Sequence, residues 1–205
     1  MSSKFDYTST WFEDFHCPNT WPIYFQHLAS KKDILEIGSF EGRSACWVIL
    51  NELDERGTIT CIDRWSAGGD LPDVDFESVE ERFDSNTRLA LSMKTGRFLR
   101  KMKGDSVEQL SQLLCDGYEC DFAYVDGDHT SAGVLSDMIL AWRLVKPGGL
   151  MVIDDYLWSF NVSEQVPLYN APHHRPKMGI DAFMTMFDGS YSIIDIGVQV
   201  VLKKL

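Results

Sequence analysis

Short apolar runs alternate with amphipathic segments along most of the chain. The apolar runs are bounded by Gly or charged residues and predict strands at 33–38, 57–63, 96–105, 121–127 and 150–155. Segments with helical spacing of apolar positions lie between them, at 42–53, 77–91, 106–114 and around 135–142. Because strands that alternate with helices form a parallel sheet covered on both faces, the pattern predicts an α/β fold with three layers.

The end of the chain breaks this alternation. After a helix near 179–187, the segments 191–196 and 198–204 read as two strands with very little between them. A parallel return needs a crossover connection, so this spacing permits only an antiparallel pair. We therefore predict an α/β/α sandwich with a mostly parallel, seven-stranded sheet and a C-terminal antiparallel hairpin strand.

Composition narrows the classes of partner. A chain of 205 residues fits one domain, and its net charge of -12 argues against nucleic acid or an anionic membrane as the main partner. No apolar run is long enough to span a bilayer, no signal segment opens the chain, and the five cysteines are odd in number. We expect reduced thiols and a cytoplasmic protein with no nucleic-acid or membrane partner. Oligomeric state is left open, with a homo-oligomer as one alternative.

Every predicted parallel strand ends in an acid or in a Gly turn that carries one. Ligands of open parallel sheets bind beyond the carboxyl ends of the strands, so these residues should meet at one edge. In strand order they are Glu36, Gly38, Ser39, Gly42 and Ser44; Asp63, Arg64 and Trp65; Asp105 and Ser106; Asp126, Asp128 and His129; and Asp154 and Asp155. Five such ends in one chain favour a binding site over five unrelated helix caps.

The turn after the first strand is Gly-x-x-x-Gly, with Phe40 where a dinucleotide-binding turn has a second Gly. A pyrophosphate is therefore not expected here. Asp63 is placed to accept hydrogen bonds from both ribose hydroxyls, and Trp65 could stack on an adenine. Asp105 or Ser106 could bind the edge of that base. Together these roles suit an adenosine that carries an amino-acid tail.

Five motifs in order, "ILEIGSFEGRS", "TCIDRW", "KGDS", "FAYVDGDH" and "VKPGGLMVIDDY", resemble those of class I S-adenosylmethionine-dependent methyltransferases. The resemblance covers about residues 33–204. The "VDGDH", "PGG" and "DDY" elements are similar to the small macrocin-type O-methyltransferase branch, and more distantly to catechol O-methyltransferases. It implies a Rossmann-like fold in a single domain, 1–205, with 1–32 as a helical cap on the substrate side and 33–205 as the cofactor-binding core.

The implied activity is methyl transfer from S-adenosyl-L-methionine to a hydroxyl oxygen of a small molecule, the methyl acceptor. The implied cofactor-binding residues are Glu36, Gly38, Ser39, Gly42, Ser44, Asp63, Arg64, Trp65, Asp105, Ser106 and Asp126. The acceptor itself cannot be identified from the sequence. Two other functions remain as alternatives: a non-catalytic S-adenosylmethionine-binding protein and a nucleotide-dependent oxidoreductase.

Asp126, Asp154 and Asp155 match the positions at which members of these branches hold Mg²⁺. Mg²⁺ prefers carboxylates, water and substrate oxygens, which fits three acids. The alternative is that Asp126 contacts only the ammonium group of the cofactor and Asp155 caps the next segment. The need for a metal therefore stays open.

His129 is the candidate general base, acting with Asp126 as the catalytic pair, because imidazole accepts a proton near neutral pH. The alternative is a histidine that only hydrogen-bonds to backbone at a helix start. Asp128 is predicted to be the N-cap of that helix. The segments 66–76 and 156–177 are candidate lids, and His173, His174, Arg175 and Lys177 are assigned to the second of these loops.

Overall fold

The computed structural model describes residues 4–66, 75–158 and 175–205. Its strands are β1 (Asp33–Ile37), β2 (Thr58–Asp63), β3 (Phe98–Lys103), β4 (Cys120–Val125), β5 (Val145–Ile153), β6 (Tyr191–Ile196) and β7 (Val200–Lys204). Its helices are α1 (Trp11–Asp14), α2 (Cys17–Phe25), α3 (Arg43–Asn51), α4 (Phe76–Met93), α5 (Ser106–Cys115), α6 (Ser131–Leu144) and α7 (Pro176–Met186).

The strands form one sheet in the order β3-β2-β1-β4-β5-β7-β6. Strands β1 to β5 are parallel, and β7 pairs antiparallel with both β5 and β6. This confirms the predicted mixed sheet with its terminal hairpin. Strands β1 and β4 are neighbours, but the chain continues from β1 to β2 on one side and from β4 to β5 on the other. The crevice beyond their carboxyl ends is therefore a topological switch point.

Alternating side chains of β4 divide the core into two layers. Phe122 and Tyr124 pack with the first layer, which includes residues of α2, α3 and α4. Ala123 and Val125 pack with the second, which includes residues of α5, α6 and α7. The strand is buried on both faces, as expected for a central strand of a three-layer sandwich.

Strand β5 begins earlier than the sequence pattern predicts. The sequence pattern predicts a strand at 150–155, but β5 runs from Val145 through Pro147 and Gly148 to Ile153. A register shift in the pairing with β4, between Cys120 and Phe122, accommodates the extra residues. Proline, which cannot donate to a ladder, is tolerated at such an irregularity.

Aromatic residues near the amino terminus cover one face of the sheet. Trp21 is fully buried on α2, with its ring 5.7 Å from that of Phe122 and 4.9 Å from that of Tyr124. Phe25 stacks on Phe122 at 4.5 Å. The first helices are therefore part of the core rather than an appendage. Among the described residues, no helix is both long and apolar enough to cross a bilayer.

Candidate active site

Two cavities open beyond the carboxyl ends of β1 and β4. The first, of about 310 Å³, extends toward β2 and β3, and the second, of about 350 Å³, extends toward the amino-terminal segment and β5. Both are lined by Trp11, Gly38, Phe40, Asp126 and His129. A ligand that fills the first cavity therefore ends beside a molecule held in the second.

Gly38 lets the β1 turn pass directly against the end of β4. Its φ is +86°, and a Cβ at this position would lie 1.9 Å from the carbonyl oxygen of Asp126. Gly42, with φ +76°, caps α3 and packs against Phe83, outside both cavities. The first glycine shapes the cavity wall, and the second seats the helix behind it.

Glu36 lies beneath this turn and lines neither cavity. It is 2% exposed and accepts a hydrogen bond of 2.7 Å from the hydroxyl of Ser39. Burial raises the pKa of Glu36 to about 7, and the hydroxyls of Ser44 and Ser39 oppose that shift. Ser39 and Ser44 line the second cavity, so Glu36 lies directly behind two polar side chains of that cavity's wall.

Asp63 stands at the end of β2 and lines the first cavity. Its two oxygens accept backbone hydrogen bonds, 2.8 Å from Phe40 and 2.7 Å from Trp65. Burial raises the pKa of Asp63, and these backbone N–H groups counteract part of the rise. The carboxylate is thereby fixed in one orientation. Arg64 beside it lines the same cavity.

Asp105 and Ser106 follow β3 on the far wall of the first cavity. Asp105 is the N-cap of α5, and its Oδ1 accepts a hydrogen bond of 3.0 Å from the N–H of Val107. Ser106 is the first residue of that helix. The helix start holds the Asp105 side chain in place, and Asp105 and Ser106 together give this wall two polar side chains.

The end of β4 carries Asp126, which lines both cavities. The hydroxyl of Tyr124 lies 3.0 Å from Oδ2 of Asp126 and makes a short hydrogen bond to Oδ2 of Asp154. Desolvation, followed by the charge of Asp154, raises the pKa of Asp126 to about 8, whereas His129 acts in the opposite direction. Tyr124 thus separates two carboxyl groups that would otherwise repel each other at close range.

His129 is held between two carboxylates. Its Nε2 lies 3.0 Å from Oδ2 of Asp155 and 3.6 Å from Oδ1 of Asp126. Its ring centroid is 4.9 Å from that of Trp158. The imidazole is 25% exposed, so it is oriented by neighbours and still reachable from the second cavity.

A family model described as a methyltransferase domain matches residues 35–156, more than half of the chain. The chain belongs to this family. It is 31% identical over 137 residues to a putative caffeoyl-CoA O-methyltransferase of Arabidopsis thaliana, covering 67% of this chain and 52% of that protein. The chain therefore spans about half the length of that curated relative.

Solved structures share the fold of this methyltransferase domain at low identity. An O-methyltransferase from Bacillus cereus in complex with SAH has a TM-score of 0.61 and 19% identity, covering 98% of this chain and 83% of that one. The MycE methyltransferase of mycinamycin biosynthesis, in complex with Mg, SAH and mycinamycin VI, has a TM-score of 0.55 and 16% identity, covering 97% and 50%.

In this methyltransferase domain, Trp65 does not face the first cavity, which corrects the stacking role expected from sequence. The indole is 3% exposed, donates from Nε1 to the carbonyl oxygen of Phe40 at 2.9 Å, and packs 4.6 Å from the ring of Phe83. The core offers a large aromatic ring more buried apolar contact than an open cavity does. Phe76, which the sequence argument did not single out, lines the cavity instead.

The cluster of possible metal ligands also differs from the expected trio. One ligand atom each from Asp126, His129 and Asp155 lies within 4.8 Å of the others. Asp154 also lines the second cavity, but its oxygens have other partners: Oδ1 accepts from the N–H of Asp155, and Oδ2 accepts from Tyr124 and from Gln199. Asp155 has a left-handed φ of +60°. The two consecutive acids after β5 therefore contact different residues, Asp154 contacting Tyr124 and Gln199 and Asp155 contacting His129.

Asp128 is not the N-cap of α6. The cap is Thr130, whose Oγ1 accepts from the N–H of Gly133 at 3.0 Å, while Asp128 accepts from the N–H of Thr130 at 2.7 Å. Asp128 therefore fixes the turn that precedes the helix, and it lines the first cavity.

Two contacts that sequence reasoning missed anchor the amino-terminal segment over the site. Glu41, 1% exposed, accepts from both the N–H and the hydroxyl of Thr8 and pairs with Arg82 at 2.7 Å. Arg43 donates to the carbonyl oxygen of Ser9 at 2.6 Å. No local pattern links positions 8 and 41, because this contact exists only once the chain has folded.

The predicted loops can be placed only in part. Most of 66–76 and 156–177, with His173 and His174, lies outside the described residues. Arg175 is the N-cap of α7, and Lys177 lies within that helix, where it pairs with Asp181 at 2.6 Å. These two residues therefore belong to a helix start rather than to a loop.

Proposed function

We propose that the chain transfers a methyl group from S-adenosyl-L-methionine to a hydroxyl oxygen of a small molecule. The observation that carries this proposal is the junction of two cavities at Gly38, Phe40, Asp126 and His129. Methyl transfer requires nucleophile, methyl carbon and sulfur to be held nearly in line, and a boundary between a donor cavity and an acceptor cavity provides that arrangement.

The first cavity suits the nucleoside of the donor. Asp63, fixed by two backbone N–H groups, keeps lone pairs that can accept from both ribose hydroxyls. Asp105 and Ser106 supply polar groups for the edge of the base, and Phe76 supplies an aromatic face for stacking. Arg64 lines the rim of this cavity. The methionine part then runs under Gly38 into the end of the second cavity that Ser39 and Ser44 line. Glu36 orients these two side chains.

The remainder of the second cavity suits the acceptor. Trp11, Phe12, Phe15, Phe40 and Trp158 give it largely aromatic walls, which fits an aromatic alcohol or a phenol. The curated relative named above is a putative caffeoyl-CoA O-methyltransferase, a name that is in keeping with such an acceptor. The amino-terminal segment would thus serve as the substrate-side cap of a single methyltransferase domain.

His129 is the proposed general base. The acceptor oxygen attacks the methyl carbon, the carbon–sulfur bond breaks, and its electron pair remains on sulfur to give S-adenosylhomocysteine. The hydroxyl proton passes to the imidazole, which Asp155 orients at 3.0 Å and whose positive charge Asp155 and Asp126 stabilise. Asp126, which lines both cavities, would also bind the ammonium group of the donor.

The donor set of Asp126, His129 and Asp155 also fits a divalent cation. Asp126 and Asp155 would hold Mg²⁺ through carboxylate oxygens, and the bound ion would lower the pKa of an acceptor hydroxyl as a Lewis acid. The imidazole nitrogen favours Mn²⁺, Fe²⁺ or Zn²⁺ more than Mg²⁺. If His129 ligates a metal, its Nε2 cannot also take the proton, so the two roles are separable by experiment.

The decisive experiment measures S-adenosylhomocysteine formed from S-adenosylmethionine with a panel of phenols, catechols and aliphatic alcohols. Reactions are run with EDTA, Mg²⁺ or Mn²⁺. We expect turnover with at least one aromatic acceptor. The variant Asp63→Ala should lose cofactor binding, whereas the control Asp188→Asn, at an exposed position, should keep it. Binding of S-adenosylhomocysteine without any turnover would favour a non-catalytic binding protein, and preferential binding of NAD would favour an oxidoreductase.

A further inference from the structure

The lining of the second cavity is rich in acids and poor in basic residues. Within the part of the chain that the structure describes, its basic side chains are Arg43 and His129. Its acids are Glu41, Asp126, Asp154 and Asp155. The imidazole of His129 is already held by Asp155 at 3.0 Å and by Asp126 at 3.6 Å. Recognition of a negatively charged acceptor would therefore depend on Arg43.

Arg43 is engaged on three sides by the amino-terminal segment. Its Nε lies 2.5 Å from Oε2 of Glu13. Its Nη1 donates to the carbonyl oxygen of Ser9 at 2.6 Å, and its guanidinium carbon lies 4.7 Å from the centre of the Tyr7 ring. The carboxylate of Glu13 balances the charge of the guanidinium, and Ser9 and Tyr7 fix its position. The Glu13–Arg43 ion pair therefore contributes no net charge to the cavity wall.

A second ion pair balances Glu41. Its Oε1 lies 2.7 Å from Nε of Arg82, and its two oxygens also accept the hydrogen bonds from Thr8. Once both ion pairs are set aside, the charge of the cavity is decided by the remaining titratable groups on its lining. These are three acids and one imidazole: Asp126, Asp154, Asp155 and His129.

The segments outside the described residues, 1–3, 67–74 and 159–174, contain no Lys or Arg. Their charged and basic residues are Asp70, Asp73, Glu164, His173 and His174. A histidine carries little positive charge at pH 8. At that pH, these segments therefore have no strong cation to offer to an anionic acceptor.

An anionic group that enters such a cavity loses its hydration and gains no paired cation, which is costly. An uncharged phenol loses much less hydration and gains contact with the aromatic walls. The arrangement of charges therefore bears directly on which alcohols the cavity can take.

We propose that Glu13 is a specificity-determining residue. It neutralises the guanidinium of Arg43, so that the second cavity selects aromatic acceptors that carry no negatively charged group. Without this carboxylate, the guanidinium is free to pair with a carboxylate of the acceptor. The inference rests on the proposed function, because it assumes that the second cavity holds the acceptor.

The test compares three aromatic acids with their primary amides at pH 8: 4-hydroxyphenylacetate, 3,4-dihydroxyphenylacetate and 3-(3,4-dihydroxyphenyl)propanoate. The measurement is kcat/KM for formation of S-adenosylhomocysteine. We expect wild-type protein to prefer the amide by about tenfold or more in each pair that it methylates, because the acid must bury an unpaired carboxylate. Glu13→Gln should reduce this ratio to within about threefold of unity. The control Glu119→Gln, at an exposed position before β4, should keep the wild-type ratio.

Two further variants test whether the effect comes from Arg43 and from charge. The double variant Glu13→Gln/Arg43→Gln should return the ratio to about tenfold or more, because no guanidinium remains. Phe15→Lys adds a cation to the same wall without touching the ion pair, and it should also reduce the ratio. Phe15→Gln is its uncharged control and should not reduce it.

Equal use of acids and amides by wild-type protein overturns the inference while leaving the proposed function intact. An unchanged ratio in folded Glu13→Gln does the same, as does a low ratio that persists in the double variant. If Glu13→Gln does not fold, an unchanged ratio in Phe15→Lys has the same meaning. Turnover of none of the six compounds removes aromatic acceptors from the proposed function, and the inference with them.

Discussion

The Nε2 atom of His129 lies 3.0 Å from Oδ2 of Asp155, two side chains that follow different strands of the sheet. This contact fixes the imidazole at the junction of the two cavities. If an acceptor binds in the second cavity, the proton of its hydroxyl group would reach the imidazole at the edge of that cavity. The pair is therefore the part of the site on which the chemistry of the proposed reaction depends most directly.

His129→Gln should lower kcat by about 10²- to 10⁴-fold while changing the KM for S-adenosylmethionine little, because the base acts on the acceptor. The measurement is steady-state formation of S-adenosylhomocysteine. His27→Gln, at an exposed position away from both cavities, is the matched control. If His129 is instead a metal ligand, the variant will need more Mn²⁺ for half-maximal activity, and added metal will restore kcat. An unaltered kcat contradicts both roles.

Gly38→Ala should abolish S-adenosylhomocysteine binding and lower the free energy of unfolding strongly, because its Cβ would overlap the carbonyl oxygen of Asp126. Gly117→Ala is the matched control: its φ of +69° is also left-handed, but a Cβ there meets nothing within 4 Å. We expect the free energy of unfolding of the control to fall by only about 1–2 kcal/mol, the cost of placing an Ala in the left-handed conformation. Denaturant unfolding measures both, and equal losses would show that the close contact does not matter.

Trp65→Phe and Phe76→Ala should affect different properties: the first the stability of the fold, the second the affinity for the cofactor. The first removes core packing and should lower the free energy of unfolding by about 1–3 kcal/mol with cofactor affinity nearly unchanged. The second removes a face beside the nucleoside space and should weaken S-adenosylhomocysteine binding about tenfold, the usual worth of one stacked base. Titration calorimetry and thermal unfolding distinguish them, and a reversed pattern would restore Trp65 to the stacking role.

Asp137 is a carboxyl group buried on α6. The variant Asp137→Asn should gain stability relative to the wild type as pH rises. The folded pKa of about 7 lies above the usual value near 3.9, so the folded state holds a proton that the unfolded chain has lost across this window. Stability contributed by the protonated acid therefore declines as pH rises from about 4 to 7, by about 4 kcal/mol in all.

The advantage of the neutral Asn side chain should consequently grow by about 2–3 kcal/mol between pH 5 and pH 8. Denaturant unfolding at the two pH values measures it, with the exposed Asp188→Asn as the control. A constant difference across this range would mean that Asp137 does not titrate there.

The sheet and its strand ends could be predicted because both follow from local pattern. The period of apolar positions identified the parallel strands, and the short spacing between β6 and β7 required an antiparallel pair. Parallel order then places strand ends at one edge, so Asp63, Asp105 and Asp126 could be expected to share a crevice.

What the pattern did not predict depends on side-chain direction and on distant contacts. Trp65 and Asp154 follow their strands as expected, but the first turns into the core and the second toward Gln199. Glu41 meets Thr8 across 33 positions. Asp137 was not singled out, because a polar residue on an amphipathic helix gives no sign of being buried until the neighbouring helices are placed.

The separation of the two cavities has a consequence for how such a chain can diversify. The cavity proposed for the donor is built from strand ends that also support the sheet, whereas five residues that line the cavity proposed for the acceptor belong to the short segment 9–17. Evolution or engineering can change the exposed aromatic residues of that stretch, Trp11 and Phe15, and so redirect the proposed reaction to a new alcohol. The methyl donor and the architecture that holds it would be inherited unchanged.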